Sequence, residues 1–272
     1  MKRILITGAS GFIGKELFTR VKSFDTIGIY FRTKQELDDL TMVSSDLSKE
    51  DNVCRLFDEY QPEVIFHLAA LVSPQVNEKN PALAVECHLR ITENILKYIE
   101  PTTHVIFLST DKVFDGTVPC PDETTITRPL GLYGKLKWQC ESLIQEHTEK
   151  LHIFRLPIVH DMGNPGSNSF VDKSLIALKS GNKISAFANV KRCYIRMNEL
   201  IELLLKSADD ENYGIYHVGS EMMTYFDRIK NLCMEVHIEY EGILEHGYGD
   251  VFPLVQNLDS SKAQRVFEIK FT

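Results

Sequence analysis

A glycine turn close to the start of the chain constrains the fold more than any other feature. The sequence opens MKRILITGASGFIG, in which the short apolar run at residues 4–6 is typical of a buried strand. Gly8, Gly11 and Gly14 follow this run, and an amphipathic stretch comes after them. Glycines between a strand and a helix let the backbone approach a pyrophosphate, which the free N–H groups of the helix N-terminus attract. The pattern therefore predicts a dinucleotide-binding turn.

Composition and charge argue against several classes of protein. The chain has 272 residues, of which 43% are hydrophobic, and this is enough for one large α/β unit or for two lobes. A net charge of −8 without a basic block argues against nucleic acid as a partner. No apolar run approaches the ~20 residues of a membrane span, so we expect no membrane association and no secretory signal. Six cysteines are scattered without a CxxC pair, which predicts reduced thiols in a cytoplasmic protein.

Strand and helix signals alternate through the first half of the chain. Ser48 and Asp51 form a capping-box pattern, which predicts the start of a helix that ends at Tyr60. The alternation favours an α/β fold with a doubly wound parallel sheet of the Rossmann type. Strands are predicted at residues 4–6, 26–31, 42–45, 64–68, 105–108 and 153–156.

Beyond Pro157 the alternation loosens. We expect residues 1–157 to form the dinucleotide-binding Rossmann domain, with later segments such as 190–218 returning to it in part. Residues 158–272 are expected to form mainly a smaller α/β lobe that binds the substrate. The elements predicted in this second part are helices at 170–179 and 198–207 and a strand at 215–218.

Acid–base chemistry is indicated by the sequence STD at residues 109–111 and by a YxxxK pattern further along the chain. Tyr133 and Lys137 are four residues apart and so share one face of a helix. A lysine ammonium beside a phenol, with the positive nicotinamide close by, is expected to lower the pKa of the tyrosine, which can then exchange a proton with a carbonyl oxygen. Thr110, at the carboxyl end of a predicted strand, can hydrogen-bond the same oxygen. The alternative is that YxxxK occurs on this helix by chance.

Seven motifs are spread along most of the chain: TGASGFIG (7–14), DL (46–47), HLAA (67–70), NP (80–81), LSTDKVFDG (108–116), P-x3-YGKLK (129–137) and FRLP (154–157). Together they resemble the extended short-chain dehydrogenase/reductases, and the GxxGxxG spacing of the glycine turn is also that of this family. Within the family, STDKVFDG followed by YGKLK is most similar to the dTDP-4-dehydrorhamnose reductases and related nucleotide-sugar 4-ketoreductases.

The resemblance implies roles for individual residues. It implies Tyr133 as the proton donor, Lys137 as the ribose-binding residue that modulates the tyrosine pKa, and Thr110 as the residue that orients the carbonyl. Hydride would come from the nicotinamide, and Asp46 and Leu47 would contact the adenine. The residues implied for cofactor binding are Gly8, Ser10, Gly11, Phe12, Ile13, Gly14, Asp46, Leu47, Ala69, Ala70, Leu71, Tyr133, Lys137 and Pro157.

The segment after the second predicted strand bears on the choice of cofactor. NAD enzymes usually carry an acidic residue there to hold the ribose 2′-hydroxyl. Residues 30–34 read YFRTK, so a carboxylate is missing and Arg32 and Lys34 are present. Because a guanidinium pairs well with a phosphate, Arg32 predicts NADP(H) in preference to NAD(H). The alternative, that both cations are solvated turn residues, leaves NAD(H) open.

Two histidines stand where relatives usually carry other residues. His88 replaces an asparagine in the helix after Pro81, either as a change on the cofactor side or as a core histidine. Relatives carry Asn-Val-Tyr-Gly where this chain has IVHD, so His160 lies near the expected sugar pocket. It is either a second acid or a loop histidine.

The implied substrate-binding set is Asp111, His160, Asn168 and Arg192. Arg192 matches an arginine that binds the substrate diphosphate in relatives, and bidentate pairing with phosphate suits that role. In the rhamnose-pathway reductases an acidic stretch is tied to metal-linked dimerisation. Here only Glu78 of that stretch remains, so we expect no metal site.

Three functions are weighed. The leading hypothesis is NADPH-dependent reduction of the keto group of a nucleotide-diphosphate-linked 4-keto-6-deoxysugar, with a homodimer left open. The second is an epimerase or dehydratase that holds NAD tightly, although dehydratases commonly carry Asp-Glu where this chain has Asp111 and Lys112. The third is a non-catalytic, NADP-binding regulatory subunit like the β subunit of methionine adenosyltransferase. The intact set of Thr110, Tyr133 and Lys137 argues against the third.

Replacing Arg32 with alanine is expected to weaken NADPH binding far more than NADH binding, because only NADPH carries the 2′-phosphate with which a guanidinium can pair. Calorimetric titration of the wild type and Arg32→Ala with each cofactor measures the difference. An equal loss of affinity for the two cofactors would refute the assignment of Arg32 to the 2′-phosphate.

Overall fold

Short apolar runs form the strands of the main sheet, as their sequence predicts. The computed structural model describes residues 2–21, 25–31, 41–71, 73–164, 167, 169–246 and 253–272. The strands are β1 (Arg3–Thr7), β2 (Asp25–Tyr30), β3 (Thr41–Ser44), β4 (Val64–His67), β5 (His104–Thr110), β6 (Leu151–Leu156), β7 (Ile158–His160), β8 (Ile184–Phe187), β9 (Lys191–Arg192), β10 (Tyr194–Arg196), β11 (Gly214–His217), β12 (Met223–Thr224), β13 (Ile243–His246) and β14 (Val255–Gln256).

Helices follow most strands of the first half. The helices of both halves, within the described residues, are α1 (Phe12–Arg20), α2 (Glu50–Tyr60), α3 (Pro74–Lys79), α4 (Pro81–Val85), α5 (Ile91–Leu96), α6 (Leu132–His147), α7 (Phe170–Lys179), α8 (Met197–Ser207), α9 (Tyr225–Glu235) and α10 (Ser261–Val266). A π-helical segment, Glu86–Arg90, separates α4 from α5, and a 3₁₀ turn, Asp111–Val113, follows β5. Among the helices described, none is long and apolar enough to span a membrane.

The main sheet has seven parallel strands in the order β11-β6-β5-β4-β1-β2-β3. Leu5 of β1 pairs with Ile27 of β2 on one side and with Ile65 of β4 on the other. These three buried side chains belong to one apolar cluster, and a second cluster packs β5 and β6 against α6. The predicted doubly wound parallel α/β fold is therefore confirmed, and the order 3-2-1-4-5-6 is that of dinucleotide-binding sheets.

The turn between β1 and α1 requires glycine at two positions. Gly8 has a φ of +68°, which residues with a side chain rarely adopt. A Cβ at Gly14 would collide with the carbonyl oxygen of Gly8 and lie 2.9 Å from the Cα of Ala9. The helix therefore packs directly onto the turn, and this is why α1 can begin as early as Phe12.

The chain divides into two compact units. The first unit holds most of the main sheet, and its residues are Met1–Phe114, Thr127–Arg155 and Ile201–Tyr216. The second unit comprises Asp115–Ile126, Leu156–Leu200 and His217–Thr272. In the second unit, α7 and α9 share an apolar cluster around Tyr194, and its strands pair as β7 with β10, β8 with β13, and β9 with β12 and β14.

Two local features differ from the sequence prediction. The capping box at Ser48 is wrong, because its hydroxyl donates to the Asp46 carboxylate at 2.7 Å and Lys49 occupies the cap position of α2. Asp51 lies in the first turn of α2, where its charge suits the helix dipole. The second half also contains α9, which the sequence analysis does not predict. It contains several further strands of two to four residues, which are not predicted because strands this short carry little periodicity.

Two histidines pack together at the start of neighbouring strands β5 and β6. Nε2 of His104 lies 2.7 Å from Nδ1 of His152, and the Tyr213 ring meets His104 edge to face with centroids 5.2 Å apart. Burial, His152 and the Lys2 ammonium lower the pKa of His104 to about 3. The folded chain therefore keeps this imidazole neutral.

We expect the free energy of unfolding to decrease as the pH is lowered from about 7 to 5. The unfolded chain takes up a proton at His104 below its ordinary pKa of 6.5, whereas the folded chain does so only near pH 3. The stabilisation is complete above pH 6.5 and is lost as the pH falls, by about 2 kcal/mol for one such histidine at pH 5. Urea unfolding at both pH values measures the effect. If His104→Gln shows the same pH difference as the wild type, His104 does not contribute to it.

Candidate active site

The turn between β1 and α1 offers an open helix N-terminus. Gly11 precedes α1 and, having no side chain, forms no side-chain cap on the first amides. Its own N–H closes the turn by donating to the Gly8 carbonyl at 2.9 Å. Ser10, Phe12 and Ile13 are only half-buried, so the backbone of the turn is accessible. These features fit a dinucleotide pyrophosphate, because an anion can approach amides that point outward from the helix.

Buried hydrogen bonds tie this turn to two other segments. The Thr7 hydroxyl accepts from the next two backbone N–H groups after β4, at 3.1 and 3.0 Å, and donates to Nδ1 of His67 at 3.0 Å. The Nε2–H of His67 donates to the Thr92 hydroxyl at 2.9 Å, which donates to the His88 carbonyl at 2.8 Å. Burial and the Lys137 ammonium lower the pKa of His67 to about 3, so the ring is neutral and each nitrogen has one role.

The candidate acid–base residues meet at the carboxyl end of β5. Thr110, the last residue of β5, lies near Tyr133, in the first turn of α6, where its hydroxyl acts on the pKa of the phenol. The Thr110 hydroxyl also donates to the Asp111 carboxylate at 3.2 Å and accepts from the N–H of Lys112 at 3.2 Å. The structure therefore brings together Thr110, Asp111 and Tyr133.

The surroundings of Tyr133 raise the pKa of its phenol above the ordinary value. Burial is the main cause of the raised pKa and the Asp111 carboxylate adds to it, whereas the Thr110 hydroxyl opposes both. The sequence prediction that Lys137 lowers this pKa is therefore wrong, because burial and a neighbouring carboxylate both favour the neutral phenol. Tyr133 is protonated at neutral pH and is able to donate a proton.

Lys137 lies on α6 and is almost completely buried. Its ammonium donates to the Leu108 carbonyl at 2.7 Å and lies 4.4 Å from the centre of the Phe107 ring. Burial lowers the pKa of Lys137 to about 8, while Cys140 and Glu141 act in the opposite direction. The ammonium is thus held against β5, next to the strand end that carries Thr110, and it is mostly protonated at neutral pH.

A buried ion pair connects strands β5 and β6 with helix α6. Nη2 of Arg155 in β6 donates to Oε2 of Glu141 in α6 at 2.7 Å, and Nε donates to Oε1 at 3.1 Å. The Ser109 hydroxyl donates to the same carboxylate. Because Ser109 precedes Thr110 and Glu141 lies one helical turn after Lys137, the pair fixes β5, α6 and β6 at the candidate site.

The other first-unit residues expected at the cofactor follow β3 and β4. The Asp46 carboxylate accepts from the N–H and hydroxyl of Ser48, and the Leu47 carbonyl accepts from the side-chain amide of Asn94 at 2.9 Å. Residues 69–71 come directly after β4 and are half-buried. Since β1, β3 and β4 are parallel strands of one sheet, their carboxyl ends place these segments at one edge.

Pro157, His160 and Arg192 lie in the second unit. The guanidinium of Arg192 donates to three backbone carbonyls, those of Lys191, Pro253 and Leu254. It therefore supports the β9–β14 pair. Asn168 and Arg32 lie outside the described residues.

His160 is completely buried in the second unit, where its Nε2 lies 2.5 Å from Nη2 of Arg228. Burial and the guanidinium groups of Arg228 and Arg196 lower the pKa of His160 to about 3. A neutral ring enclosed in this way is a poor proton donor at neutral pH. Among the described residues, no group of three His, Cys, Asp or Glu side chains could hold a metal ion.

Sequence reasoning missed the polar residues that support the site, chiefly Thr7, His67, Thr92, Glu141 and Arg155. Each is a buried polar side chain in a mostly apolar strand or on the buried face of a helix. The sequence did contain a signal for Arg155, because a charged residue in a strand predicted to be buried requires a partner. The identity of that partner depends on tertiary contacts.

Comparisons with known proteins found a matching family model and several relatives. The family model described as the RmlD substrate binding domain matches residues 1–266. Methionine adenosyltransferase 2 subunit beta of Xenopus laevis is 30% identical over 240 residues, which are 83% of this chain and 70% of that protein. A dTDP-4-dehydrorhamnose reductase of Aggregatibacter actinomycetemcomitans is 28% identical, over 84% of this chain and 76% of its own. The crystal structure of dTDP-4-dehydrorhamnose reductase from Bacillus anthracis in complex with NADP shares the fold, with a TM-score of 0.85, 22% identity and coverage of 99% and 93% of the two chains.

Arg155→Met is expected to lower the free energy of unfolding by about 3–5 kcal/mol, because Glu141 would keep a buried charge without a counter-ion. Urea unfolding measures the loss, and the double variant Glu141→Gln/Arg155→Met should recover part of it. Lys97→Met is the matched control, since it breaks the exposed ion pair with Glu50 and should cost less than about 1 kcal/mol. A loss in Arg155→Met no larger than in Lys97→Met would show that the buried pair does not stabilise the fold.

Proposed function

Because the chain belongs to the RmlD substrate binding domain family, which has the extended short-chain dehydrogenase/reductase fold, we propose that it is an NADPH-dependent reductase of a nucleotide-linked 4-keto-6-deoxysugar. The observation that carries the proposal is the meeting of Thr110, Asp111 and Tyr133 at the carboxyl end of β5, in surroundings that keep Tyr133 a phenol. This is the protonation state that a proton donor to a carbonyl requires. The similarity to a dTDP-4-dehydrorhamnose reductase supports the substrate class.

The proposed reaction adds a hydride to the carbonyl carbon of the sugar and a proton to its oxygen. A reduced nicotinamide supplies the hydride when it is bound. The Thr110 hydroxyl orients the carbonyl oxygen, and the Tyr133 phenol donates its proton as negative charge develops there. The Lys137 ammonium, with a pKa of about 8, is proposed to bind the nicotinamide ribose, which is the role that the family resemblance implies.

The glycine turn is the proposed site of the dinucleotide phosphates. Gly8 and Gly14 let the turn and the start of α1 pack closely against neighbouring backbone, and Gly11 leaves the helix N-terminus without a side-chain cap. Asp46 and Leu47 are proposed to contact the adenine, and Arg32 to select the 2′-phosphate of NADPH. The NADP complex of the Bacillus anthracis reductase, which shares the fold, supports the same choice of cofactor.

A cofactor-oxidation assay tests the proposed function. Purified protein is mixed with NADPH and dTDP- or CDP-linked 4-keto-6-deoxysugars, and the absorbance of the reduced cofactor is followed while the sugar product is analysed. Oxidation of one NADPH for each sugar reduced supports the reductase. Conversion of the sugar without net oxidation would overturn the proposal in favour of an epimerase that recycles its hydride.

A second candidate function is that of a non-catalytic, NADP-binding subunit. It is favoured by the 30% identity to methionine adenosyltransferase 2 subunit beta. The complete set of Thr110, Tyr133 and Lys137 favours the reductase instead, since a subunit without catalysis has no need of a proton donor. NADPH binding without turnover of any ketosugar in the same assay would favour this second function.

Tyr133→Phe is expected to lower kcat by ~10²-fold or more, because it removes the proton donor while keeping the ring. The affinity for NADPH, measured by calorimetry, should change little. Tyr98→Phe is the matched control, since Tyr98 bonds Glu50 at the surface and should leave kcat unchanged. Turnover by Tyr133→Phe within a few-fold of the wild type would show that Tyr133 is not the donor.

A further inference from the structure

A short π-helical segment, Glu86–Arg90, interrupts the helix formed by α4 and α5. Such turns are rare and occur frequently at functional sites. His88 lies at the centre of the segment, and its carbonyl accepts from the Thr92 hydroxyl at 2.8 Å. Thr92 is in turn bonded by His67, so the widened turn is held from β4.

The His88 side chain makes two contacts at once. Its Nε2–H donates to the Leu71 carbonyl at 3.3 Å. Its ring meets the Tyr133 ring edge to face, with centroids 5.7 Å apart and planes at 70°. The side chain is only 2% exposed. One imidazole therefore contacts both the loop expected to line the cofactor and the proposed proton donor.

His88 is neutral where it lies. Burial and the Lys137 ammonium lower the pKa of His88 to about 3, and the hydrogen bond to Leu71 only partly opposes them. A neutral imidazole next to a cation adds no repulsion, and it neither gains nor loses a proton between about pH 5 and 8. His88 is thus suited to holding its neighbours and unsuited to donating a proton.

The Leu71 carbonyl is held from two sides. Nδ2 of Asn77 on α3 also donates to it, at 2.6 Å. Asn77 restrains the loop from α3, whereas His88 connects the same carbonyl with Tyr133. His88 contacts the Leu71 carbonyl and the Tyr133 ring directly, whereas α3 reaches the start of α6 through Glu78, which accepts from the N–H of Leu132 at 2.7 Å.

We propose that His88 is a positioning residue, which sets the loop at Leu71 and the ring of Tyr133 relative to each other. The catalytic half of this inference rests on the proposed function, in which Tyr133 donates the proton. The binding half requires only that residues 69–71 line the dinucleotide. The two contacts use different parts of the imidazole, the N–H and the ring, so two substitutions can separate them.

His88→Gln keeps an N–H donor near the position of Nε2 and removes the ring, whereas His88→Phe keeps the ring and removes the donor. We expect His88→Phe to raise the Kd for NADPH about fivefold and to keep kcat within about threefold. His88→Gln should keep the Kd within about twofold and lower kcat about fivefold or more. The Kd is measured by calorimetry and kcat at saturating NADPH and ketosugar.

His104 provides a matched control in the same unit. It is also buried with a pKa of about 3, and it also combines a hydrogen bond, to His152, with an edge-to-face contact, to Tyr213. It begins β5, at the opposite end of the strand from Thr110. His104→Gln and His104→Phe should lower the stability to urea without separating Kd from kcat.

Parallel changes of Kd and kcat in the two His88 variants, like those of a purely structural residue, would overturn the inference. The same holds if neither variant changes either quantity. If the wild type reduces no ketosugar but His88→Phe alone raises the Kd, the proposed function fails and the binding half of the inference stands. If His88→Phe does not fold, His88→Leu also lacks the donor and replaces it in the measurement of Kd.

Discussion

The candidate site depends on one buried chain of hydrogen bonds, which runs from Thr7 through His67 to Thr92. Each hydroxyl has one hydrogen and the neutral imidazole has one N–H, so the chain can be satisfied in only one direction. It begins at backbone N–H groups after β4 and ends at the His88 carbonyl. The glycine turn, the loop after β4 and the π-helical segment therefore cannot separate without leaving a buried polar group unpaired, at a cost of about 1–3 kcal/mol.

The charges around the site decide where the proton of Tyr133 lies. The charges of Arg155 and Glu141 cancel each other in their ion pair. The Lys137 ammonium donates to the Leu108 carbonyl of β5. Asp111 instead acts on Tyr133 and, together with burial, keeps the proton on the phenol. A phenol that holds its proton suits the reduction of a carbonyl, since this reaction ends with a proton on the sugar oxygen. Oxidation would first require a phenolate to accept one.

The sequence was sufficient for the main sheet and for the grouping of Thr110 with Tyr133, because apolar runs and helical spacing are local signals. It was insufficient where a distant residue decides the outcome. The prediction that Ser48 caps α2 was wrong because the hydroxyl of Ser48 donates to Asp46 instead. The pKa of Tyr133 was predicted in the wrong direction because burial and Asp111 outweigh what the spacing to Lys137 suggests.

His88 shows how a single departure from the family pattern changes the site. The extended reductases that the sequence resembles usually carry asparagine at this position, and a short amide can satisfy one carbonyl. An imidazole is longer and aromatic, so it reaches the Leu71 carbonyl and the Tyr133 ring together. Because the ring is buried beside the Lys137 ammonium, it can remain there only as the neutral form, which has one donor to give. That donor is directed to Leu71, and the ring is left to contact Tyr133. In the proposed positioning role, the place of the Tyr133 ring therefore depends on the loop that follows β4.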